Sequence, residues 1–212
     1  MLDFRAPVIH TFRTMKTVDY YFSPMSPWTY LGHARLVEIA KRHGAAIRVK
    51  PVDFGRVFPA SGGLPLAKRA PQRQAYRLVE LKRWQTHLGV PLTIQPKFFP
   101  YDATLASHLI LAADAKDPKA SLDLAGAILK GCWAEERNMA DEAELARVCR
   151  AQGLDADGLL ATARSAEGQK RYAELTEEAI ALQVFGAPTY VYEAELFWGQ
   201  DRLDFLDRAL AG

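Results

Sequence analysis

The chain has 212 residues, of which 49% are hydrophobic and 25% are charged, and its formal net charge is +2. This composition suits one compact globular unit, or a domain with a large insertion, and the near-neutral charge gives nucleic-acid binding no electrostatic support. No apolar stretch approaches the roughly 20 residues of a membrane span, so we expect no membrane partner.

Residues 1–16 contain Asp3 and Arg5 where a signal peptide would need an unbroken apolar run. We interpret this segment as an N-terminal extension and expect a cytoplasmic protein. The two cysteines, Cys132 and Cys149, both fall in helix-like sequence and form no Cys-x-x-Cys pair. We expect them to be small buried apolar residues, and we predict no metal site.

The first half of the chain has a strand–helix–strand pattern. Residues 17–22 (TVDYYF) are rich in β-branched and aromatic side chains, which predicts a strand. Ser26 followed by Pro27 is a strong helix start, and Gly44 closes that helix. Residues 46–54 predict a second strand. A β-α-β order favours a parallel pair of strands with a right-handed crossover.

The rest of the chain is mostly helical in pattern. Residues 55–71 are interpreted as a loop because of their Gly and Pro content, and about 100 residues with only helical periodicity follow. Strand character returns at 188–198, as two short strands joined by a tight turn. Residues 201–210 predict a final helix with Asp201 at its N-cap.

This order of elements predicts an α/β fold of thioredoxin-like architecture with a large all-helical insertion. We assign residues 17–66 and 184–212 to the thioredoxin-like domain and residues 67–183 to the helical insertion. In a thioredoxin-like fold the first helix begins at a thiol, whose thiolate the helix N-terminus stabilises, and an X-Pro bond forms the opposite wall. Here Ser26 and Pro188 mark these two places, and neither carries a cysteine.

Five motifs in order give a more specific likeness. They are YYFSPMSPWTYLG, RWQTHLGVPL, PKFFPYDATLA, VFGAPTY and FWGQDRLDFL. Together, from about residue 17 to 210, the chain resembles the 2-hydroxychromene-2-carboxylate isomerases. That family sits beside the kappa-class glutathione transferases in the DsbA-like thioredoxin superfamily.

The resemblance implies a role for Ser26. It would occupy the place of the attacking cysteine of disulfide oxidoreductases, and Thr29 that of the resolving cysteine. Two hydroxyls cannot form a disulfide, so this excludes oxidoreductase activity. Ser26 would instead donate a hydrogen bond to the sulfur of glutathione while the helix N-terminus lowers the pKa of that thiol. The alternative is that Ser26 is a helix N-cap and nothing more.

The resemblance also implies a reaction and its partners. Glutathione would be a cofactor that is neither consumed nor oxidised. Its thiolate would add to the ring-opened form of a small aromatic carboxylate, 2-hydroxychromene-2-carboxylate, allow rotation about the former double bond, and leave to give trans-o-hydroxybenzylidenepyruvate. A homodimer is typical of the family. A kappa-like glutathione transferase and a non-catalytic thioredoxin-fold binding module remain alternatives.

The remaining site residues follow from the same motifs. Ala187, beside Pro188, would pair its backbone with the cysteinyl part of glutathione as an added strand does, or it simply starts a strand. Trp198, Gly199, Gln200 and Asp201 would form the site for the γ-glutamyl group at a helix N-terminus. Asp201 would bind the glutamyl ammonium, cap the helix, or do both.

The substrate would contact Trp28, Gly63 and Leu64. Relatives usually have Asn at the position of Gly63, so a glycine there indicates a changed specificity or a plain flexible loop. Basic residues of the following segment are candidates for holding carboxylates, or form a solvated helix face. They are Lys68, Arg69, Arg73, Arg77, Lys82 and Arg83.

Overall fold

The computed structural model describes residues 15–212, so most of the predicted extension over residues 1–16 lies outside the described residues. The strands are β1 (Thr17–Phe22), β2 (Ala46–Pro51), β3 (Thr189–Tyr192) and β4 (Glu195–Trp198). The helices are α1 (Pro27–His43), α2 (Phe54–Ser61), α3 (Pro71–Leu88), α4 (Thr104–Asp114), α5 (Pro118–Trp133), α6 (Glu142–Ala151), α7 (Ala156–Arg164), α8 (Ala166–Ala181) and α9 (Leu203–Ala211). Short 3-10 turns cover Leu66–Lys68 and Gln200–Arg202.

The four strands form one mixed sheet in the order β2-β1-β3-β4. β1 pairs with β2 in parallel and with β3 antiparallel, and Tyr20 faces Tyr190 across that second pair. β3 and β4 form a hairpin whose turn residues, Glu193 and Ala194, both have positive φ. The predicted thioredoxin-like sheet and parallel β1–β2 pair are therefore confirmed, and six helices stand between β2 and β3 beyond α2.

The first helix starts and ends as its sequence predicts. The Ser26 side chain accepts a hydrogen bond from the backbone N–H of Thr29, and Pro27 is the first helical residue. Gly44 closes the helix in the left-handed region, with φ +60°, and its N–H bonds back to the last turn. These local signals fix the point at which the chain leaves the sheet, and this point becomes one wall of the site.

The loop interpretation of residues 55–71 is wrong for its first half. Helix α2 forms there although it contains Gly55 and Pro59, and Asp53 caps it by accepting from the N–H of Gly55. Phe54 and Val57 are buried in a small cluster under β1 and α8. Burial of this apolar face outweighs the low helix propensity of glycine and proline, which local sequence alone cannot show.

The predicted cap of the last helix is also wrong. Asp201 lies within the 3-10 turn Gln200–Arg202, and α9 begins only at Leu203. The Asp201 carboxylate contacts the Arg202 guanidinium at 2.7 Å and makes no capping bond. This extra turn is bound to the first helix, because Arg35 of α1 donates hydrogen bonds to the carbonyl and the side chain of Gln200.

A single large core joins the sheet to the inserted helices. Tyr20 and Leu36 belong to the same buried cluster as Leu109, Ile128 and Trp133. The division into residues 17–66 plus 184–212 and residues 67–183 stays a prediction. None of the described helices combines the length and apolar character that a membrane-spanning helix needs. Among residues 15–212, no group of three or more His, Cys, Asp or Glu side chains is placed to hold a metal ion.

Candidate functional site

A cavity of about 1170 Å³ opens between the start of α1, the loop before β3, the α2–α3 segment and the loop before α4. Its volume lies at or above the upper end of the roughly 300–1,000 Å³ usual for small-molecule sites. It is therefore large enough for two ligands side by side. Apolar groups dominate the wall, and its polar groups lie at helix and strand ends and along α3.

The structure brings the sequence-predicted site residues together. The cavity is lined by Ser26, Trp28, Gly63, Leu64, Ala187, Trp198, Gly199, Gln200 and Asp201. Pro188, the next residue after Ala187, is buried and is not among the lining residues. Their positions in the sequence are far apart, so the shared cavity follows from the strand order and from the return of β3 beside β1.

Ser26 is half-buried at the N-terminus of α1 and faces the cavity. Its Oγ accepts the Thr29 N–H at 3.3 Å, and its own N–H donates to the Ser23 carbonyl at 3.0 Å. The hydroxyl proton is thus free to donate to a ligand. Pro27 has no N–H, and the N–H of Trp28 has no acceptor among the described residues. One hydroxyl, one free amide and the helix dipole therefore favour an anion at this point.

The first Ser-Pro pair builds the turn that leads into this helix. The Ser23 Oγ accepts the Met25 N–H at 3.3 Å, and the Tyr101 hydroxyl donates to the Pro24 carbonyl at 2.9 Å. Tyr101 also directs its N–H at the Met25 sulfur. The loop before α4 therefore braces the turn and holds Ser26 in place from outside the thioredoxin-like half.

The wall opposite Ser26 is the loop before β3. The Ala187–Pro188 peptide bond is cis, and the Pro188 carbonyl accepts the Gly199 N–H at 2.8 Å. Neither the N–H nor the C=O of Ala187 has a hydrogen-bond partner in the part of the chain that the structure describes. A free donor and acceptor of this kind can pair with an extended peptide in the manner of an added strand.

The residues after β4 present further donors. Gly199 has φ +97°, a conformation that favours glycine, and it turns the chain into the 3-10 turn. The N–H groups of Gln200 and Asp201 have no acceptors among residues 15–212. Arg35 donates to the Gln200 side-chain oxygen at 3.0 Å and to the Gln200 carbonyl at 3.2 Å, so the backbone N–H is the part left for a ligand. Two adjacent free amides suit a carboxylate.

The Phe58 ring occupies the space that a side chain at residue 63 would need. A Cβ built at residue 63 would lie 2.6 Å from a ring carbon of Phe58, so a side chain there requires that ring to move. The Phe58 ring packs against Phe54 with centroids 5.5 Å apart and itself lines the cavity. The absence of a side chain at 63 is thus coupled to an aromatic ring in the wall.

Three of the six basic candidates line the cavity, namely Arg69, Arg73 and Arg77. Lys68, Lys82 and Arg83 do not, and Arg83 instead pairs with Glu80 at 2.6 Å. Aromatic residues that the sequence did not assign to the site also line it: Phe58, Tyr76, Trp84, Tyr101 and Tyr172. Tyr76 and Trp84, eight residues apart on α3, share one helix face, and this periodicity is the signal that could have found them.

The comparisons with known proteins agree with this geometry. A family model for the DSBA-like thioredoxin domain matches residues 17–211. The 2-hydroxychromene-2-carboxylate isomerase of Sphingobium xenophagum is 33% identical over 92% of this chain and 98% of that protein. A solved structure of a 2-hydroxychromene-2-carboxylate isomerase matches with a TM-score of 0.78 and 29% identity, over 92% of this chain and 94% of that one. Glutathione s-transferase kappa 2 of Caenorhabditis elegans is 26% identical over 93% of this chain and 94% of that protein.

The fold and the length of these matches define the class, a thioredoxin-like protein of the DsbA type. The chain belongs to the DsbA-like thioredoxin family and, within it, to the family of the 2-hydroxychromene-2-carboxylate isomerases.

Proposed function

We propose that the protein is a glutathione-dependent isomerase that interconverts 2-hydroxychromene-2-carboxylate and trans-o-hydroxybenzylidenepyruvate. The observation that carries this proposal is a helix N-terminus that presents the Ser26 hydroxyl, in place of a thiol, to a cavity of about 1170 Å³. Such a site stabilises a thiolate but has none of its own. The names of the related proteins support both the reaction and the use of glutathione.

Glutathione fits the polar groups on the thioredoxin-like side of the cavity. Its cysteinyl backbone would pair with Ala187 beside Pro188, and its sulfur would accept a hydrogen bond from the Ser26 hydroxyl. Its γ-glutamyl group would lie along Trp198–Asp201, where the free amides would receive the carboxylate and Asp201 the ammonium. These groups complement a peptide carrying a thiol, a carboxylate and an amine.

The aromatic acid would occupy the remaining part of the cavity, between Trp28 and the segment that contains Gly63 and Leu64. When bound, glutathione supplies a thiolate whose reversible addition converts a double bond into a single bond and permits rotation. Ser26 would stabilise the sulfur anion before addition and after elimination. Trp28 and the surrounding aromatic rings would hold the ring of the substrate flat and keep water away.

The same site supports a second candidate, a kappa-like glutathione transferase, and the similarity to the kappa 2 transferase favours it. The difference is the fate of the adduct, which a transferase releases as a stable conjugate. A non-catalytic thioredoxin-fold binding module is the third candidate.

We further propose that the protein acts in the cytoplasm, where its two free cysteines stay reduced. We also propose that it forms a homodimer, for which the exposed Phe205 beside the edge strand β4 offers apolar surface.

The decisive experiment follows the absorbance of 2-hydroxychromene-2-carboxylate with purified protein, with and without glutathione. We expect conversion that strictly requires glutathione and leaves its concentration unchanged. Conjugation of 1-chloro-2,4-dinitrobenzene without isomerisation would replace the proposal with the transferase. If millimolar glutathione fails to raise the melting temperature, both enzymatic functions are contradicted. Light scattering after size exclusion tests the dimer.

A further inference from the structure

Arg77, on α3, lies in the wall of the cavity and is not paired with any acidic side chain of that wall. Its guanidinium carbon lies 5.1 Å from the ring centroid of Phe99 and 5.9 Å from that of Trp133, so aromatic faces support it. Its Nη2 is buried and has no hydrogen-bond partner among residues 15–212. Buried guanidinium groups are normally paired, because an unsatisfied donor loses its hydration without compensation.

The other charged groups of the cavity do not supply the missing partner. Each acidic side chain in the wall already has a partner of its own: Asp53 accepts from the Gly55 N–H, Glu80 from Arg83, Asp102 from the Thr104 N–H, and Asp201 from Arg202. Burial and the charge of Arg69 lower the pKa of Arg77 to about 10, which leaves it protonated at neutral pH.

The four arginines that line the cavity have different surroundings, and Arg202 is already paired with Asp201. Arg69 donates from Nε to the Leu64 carbonyl at 2.8 Å and stacks over Phe58, so it is tied to the α2–α3 segment. Arg73 is exposed at the cavity edge. Arg77 alone of the four has a buried terminal nitrogen without an acceptor on the described chain. Because Arg77 also lines the cavity and no acidic side chain of its wall pairs with it, an anion bound in the cavity is the partner that this charge can take.

The surroundings of Arg77 also indicate the shape of that anion. A guanidinium fork matches a carboxylate in two parallel hydrogen bonds, and the flanking rings favour a carboxylate attached to a flat conjugated chain. Phe99 connects this point to Ser26, because the same loop continues to Tyr101, which is bonded to the turn before Ser26. Arg77 and Ser26 line the same cavity, so a ligand anchored at Arg77 shares that space with the Ser26 hydroxyl.

We propose that Arg77 is the residue that binds the carboxylate of the aromatic substrate, with Arg73 adding charge at the entrance. The identity of the ligand rests on the proposed function, whereas the anion site itself rests on the unpaired guanidinium. Arg77 fixes one end of the substrate on the helical insertion. Its conjugated bond then lies on the side of the thiol site, and acids are favoured over neutral ketones of the same shape.

Two flat probes that differ only in the carboxylate test this site without glutathione. They are benzylidenepyruvate, a conjugated keto acid, and benzylideneacetone, the corresponding neutral ketone, and their affinities are measured by quenching of tryptophan fluorescence. In Arg77→Gln we expect the affinity for benzylidenepyruvate to fall by about tenfold or more, the loss usual for a charged hydrogen bond, while the affinity for benzylideneacetone is unchanged. The matched control is Lys82→Gln, an exposed charge on the same helix outside the cavity, which should alter neither affinity.

Several results would overturn the proposal. An equal loss for both probes would mean that Arg77 only packs the wall, and an unchanged preference for the acid would mean that its charge is not used. Reduced affinity of Arg77→Gln for S-methylglutathione would assign the arginine to a glutathione carboxylate instead. If Arg77→Gln does not fold, Arg77→Lys is tested instead, because lysine keeps the charge but lacks the planar fork. Its preference for the acid over the ketone should be weaker than that of the wild type but still present. An unchanged preference contradicts the proposal. Intact preference for the acid with no isomerisation would remove only the proposed function.

Discussion

The two walls of the cavity use different chemistry. The thioredoxin-like wall offers the backbone of Ala187, the amides after Gly199 and the hydroxyl of Ser26. The wall built by residues of the helical insertion offers aromatic rings such as Trp84 and Phe99, and the guanidinium of Arg77. Backbone groups recognise any extended peptide, whereas rings and a charged fork select a particular shape and charge.

Under the proposed function, this difference separates the groups that would hold a peptide cofactor from those that would select a substrate. Backbone donors depend on the fold and survive most substitutions, so a peptide site built from them would persist as long as the sheet and first helix persist. The insertion side is made of side chains and can change by single substitutions. The α2–α3 segment can change in the same way although it begins before the insertion: at Gly63, the Phe58 ring fills the space that a side chain would take.

The two walls nevertheless share one core. His33, on α1, is buried against α5, where a Cβ on Gly126 would lie 2.9 Å from its Nε2, and its Nδ1 lies 3.3 Å from the Tyr20 hydroxyl. The chemical division between the walls is therefore not a division in stability. A substitution can therefore change ligand binding without changing stability more easily than it can destabilise one wall without the other.

Removing the hydroxyl of the thioredoxin-like wall should have the largest effect. In Ser26→Ala we expect glutathione-dependent turnover to fall by about 10²–10³-fold, because one preorganised donor to a developing anion is worth that much. The steady-state rate at saturating glutathione measures it. Loss of the N-cap bond also costs about 1 kcal/mol of stability, which a melting curve reports separately.

The matched control is Ser23→Ala, which removes a hydroxyl of the same turn whose Oγ accepts only the Met25 N–H among its neighbours. It should keep nearly full activity. Wild-type turnover in Ser26→Ala would contradict the role of Ser26 and leave it as a helix cap.

Protonation of His33 should weaken both walls together. Burial lowers the pKa of His33 to about 4, below its usual 6.5, so the unfolded chain binds the proton more tightly than the folded one. The contribution of neutral His33 to the free energy of unfolding is therefore fully present above about pH 6.5. It decreases as the pH falls toward 4, by about 3 kcal/mol in all. Denaturant unfolding at several pH values should show this loss in one cooperative transition.

The variant His33→Gln cannot take up this proton, so its free energy of unfolding should change less between pH 7 and pH 4.5. His87→Gln, at an exposed position on α3, is the control and should follow the wild type. Asp207, whose pKa is held below its usual range by His43 and Arg42, loses its contribution only at still lower pH and does not interfere. Separate transitions for the two regions would contradict a shared core.

Sequence signals were sufficient where local chemistry decides the structure. The Ser26–Pro27 start, the Gly44 stop and the Glu193–Ala194 turn depend on neighbours in the chain, and all three form as predicted. The same local rules placed Asp201 at a helix cap, where an additional 3-10 turn in fact intervenes. Helix α2 was missed because its stability comes from burying Phe54 and Val57 against distant residues.

The site was predictable on one wall more than on the other. Motifs identified the thioredoxin-like wall because its residues lie at strand and helix ends, which the element order brings together. On the insertion side there were six basic candidates, and no feature of the sequence distinguished among them. The choice of Arg77 depends on Phe99 and Trp133, which lie 22 and 56 residues further along the chain.

The Gly63 side of the cavity should tolerate a side chain only if Phe58 gives way. Gly63→Asn places a Cβ 2.6 Å from the Phe58 ring, and we expect a loss of about 1–3 kcal/mol from the resulting overpacking. Combining it with Phe58→Ala should recover part of this loss, so that the two substitutions are coupled in a double-mutant cycle. Chemical denaturation of the four proteins measures the coupling.

Ala60→Asn is the control for this change, because it adds the same side chain to an exposed position of α2 and should cost only the difference in helix propensity, about 0.7 kcal/mol or less. Additive effects of Gly63→Asn and Phe58→Ala would show that the ring does not fill the space in question.

The smallest effect is expected from removing the protein's own sulfur. Burial raises the pKa of Cys132 to about 12 and that of Cys149 to about 11, so almost no thiolate exists near neutral pH. Cys132→Ala/Cys149→Ala should retain glutathione-dependent turnover, and the folded wild type should react with a disulfide reagent only after denaturant is added, then at both thiols. Fast labelling of the folded protein with loss of activity would place a reactive thiol of the chain in the mechanism, and the thioredoxin-like wall would then no longer depend on a borrowed one.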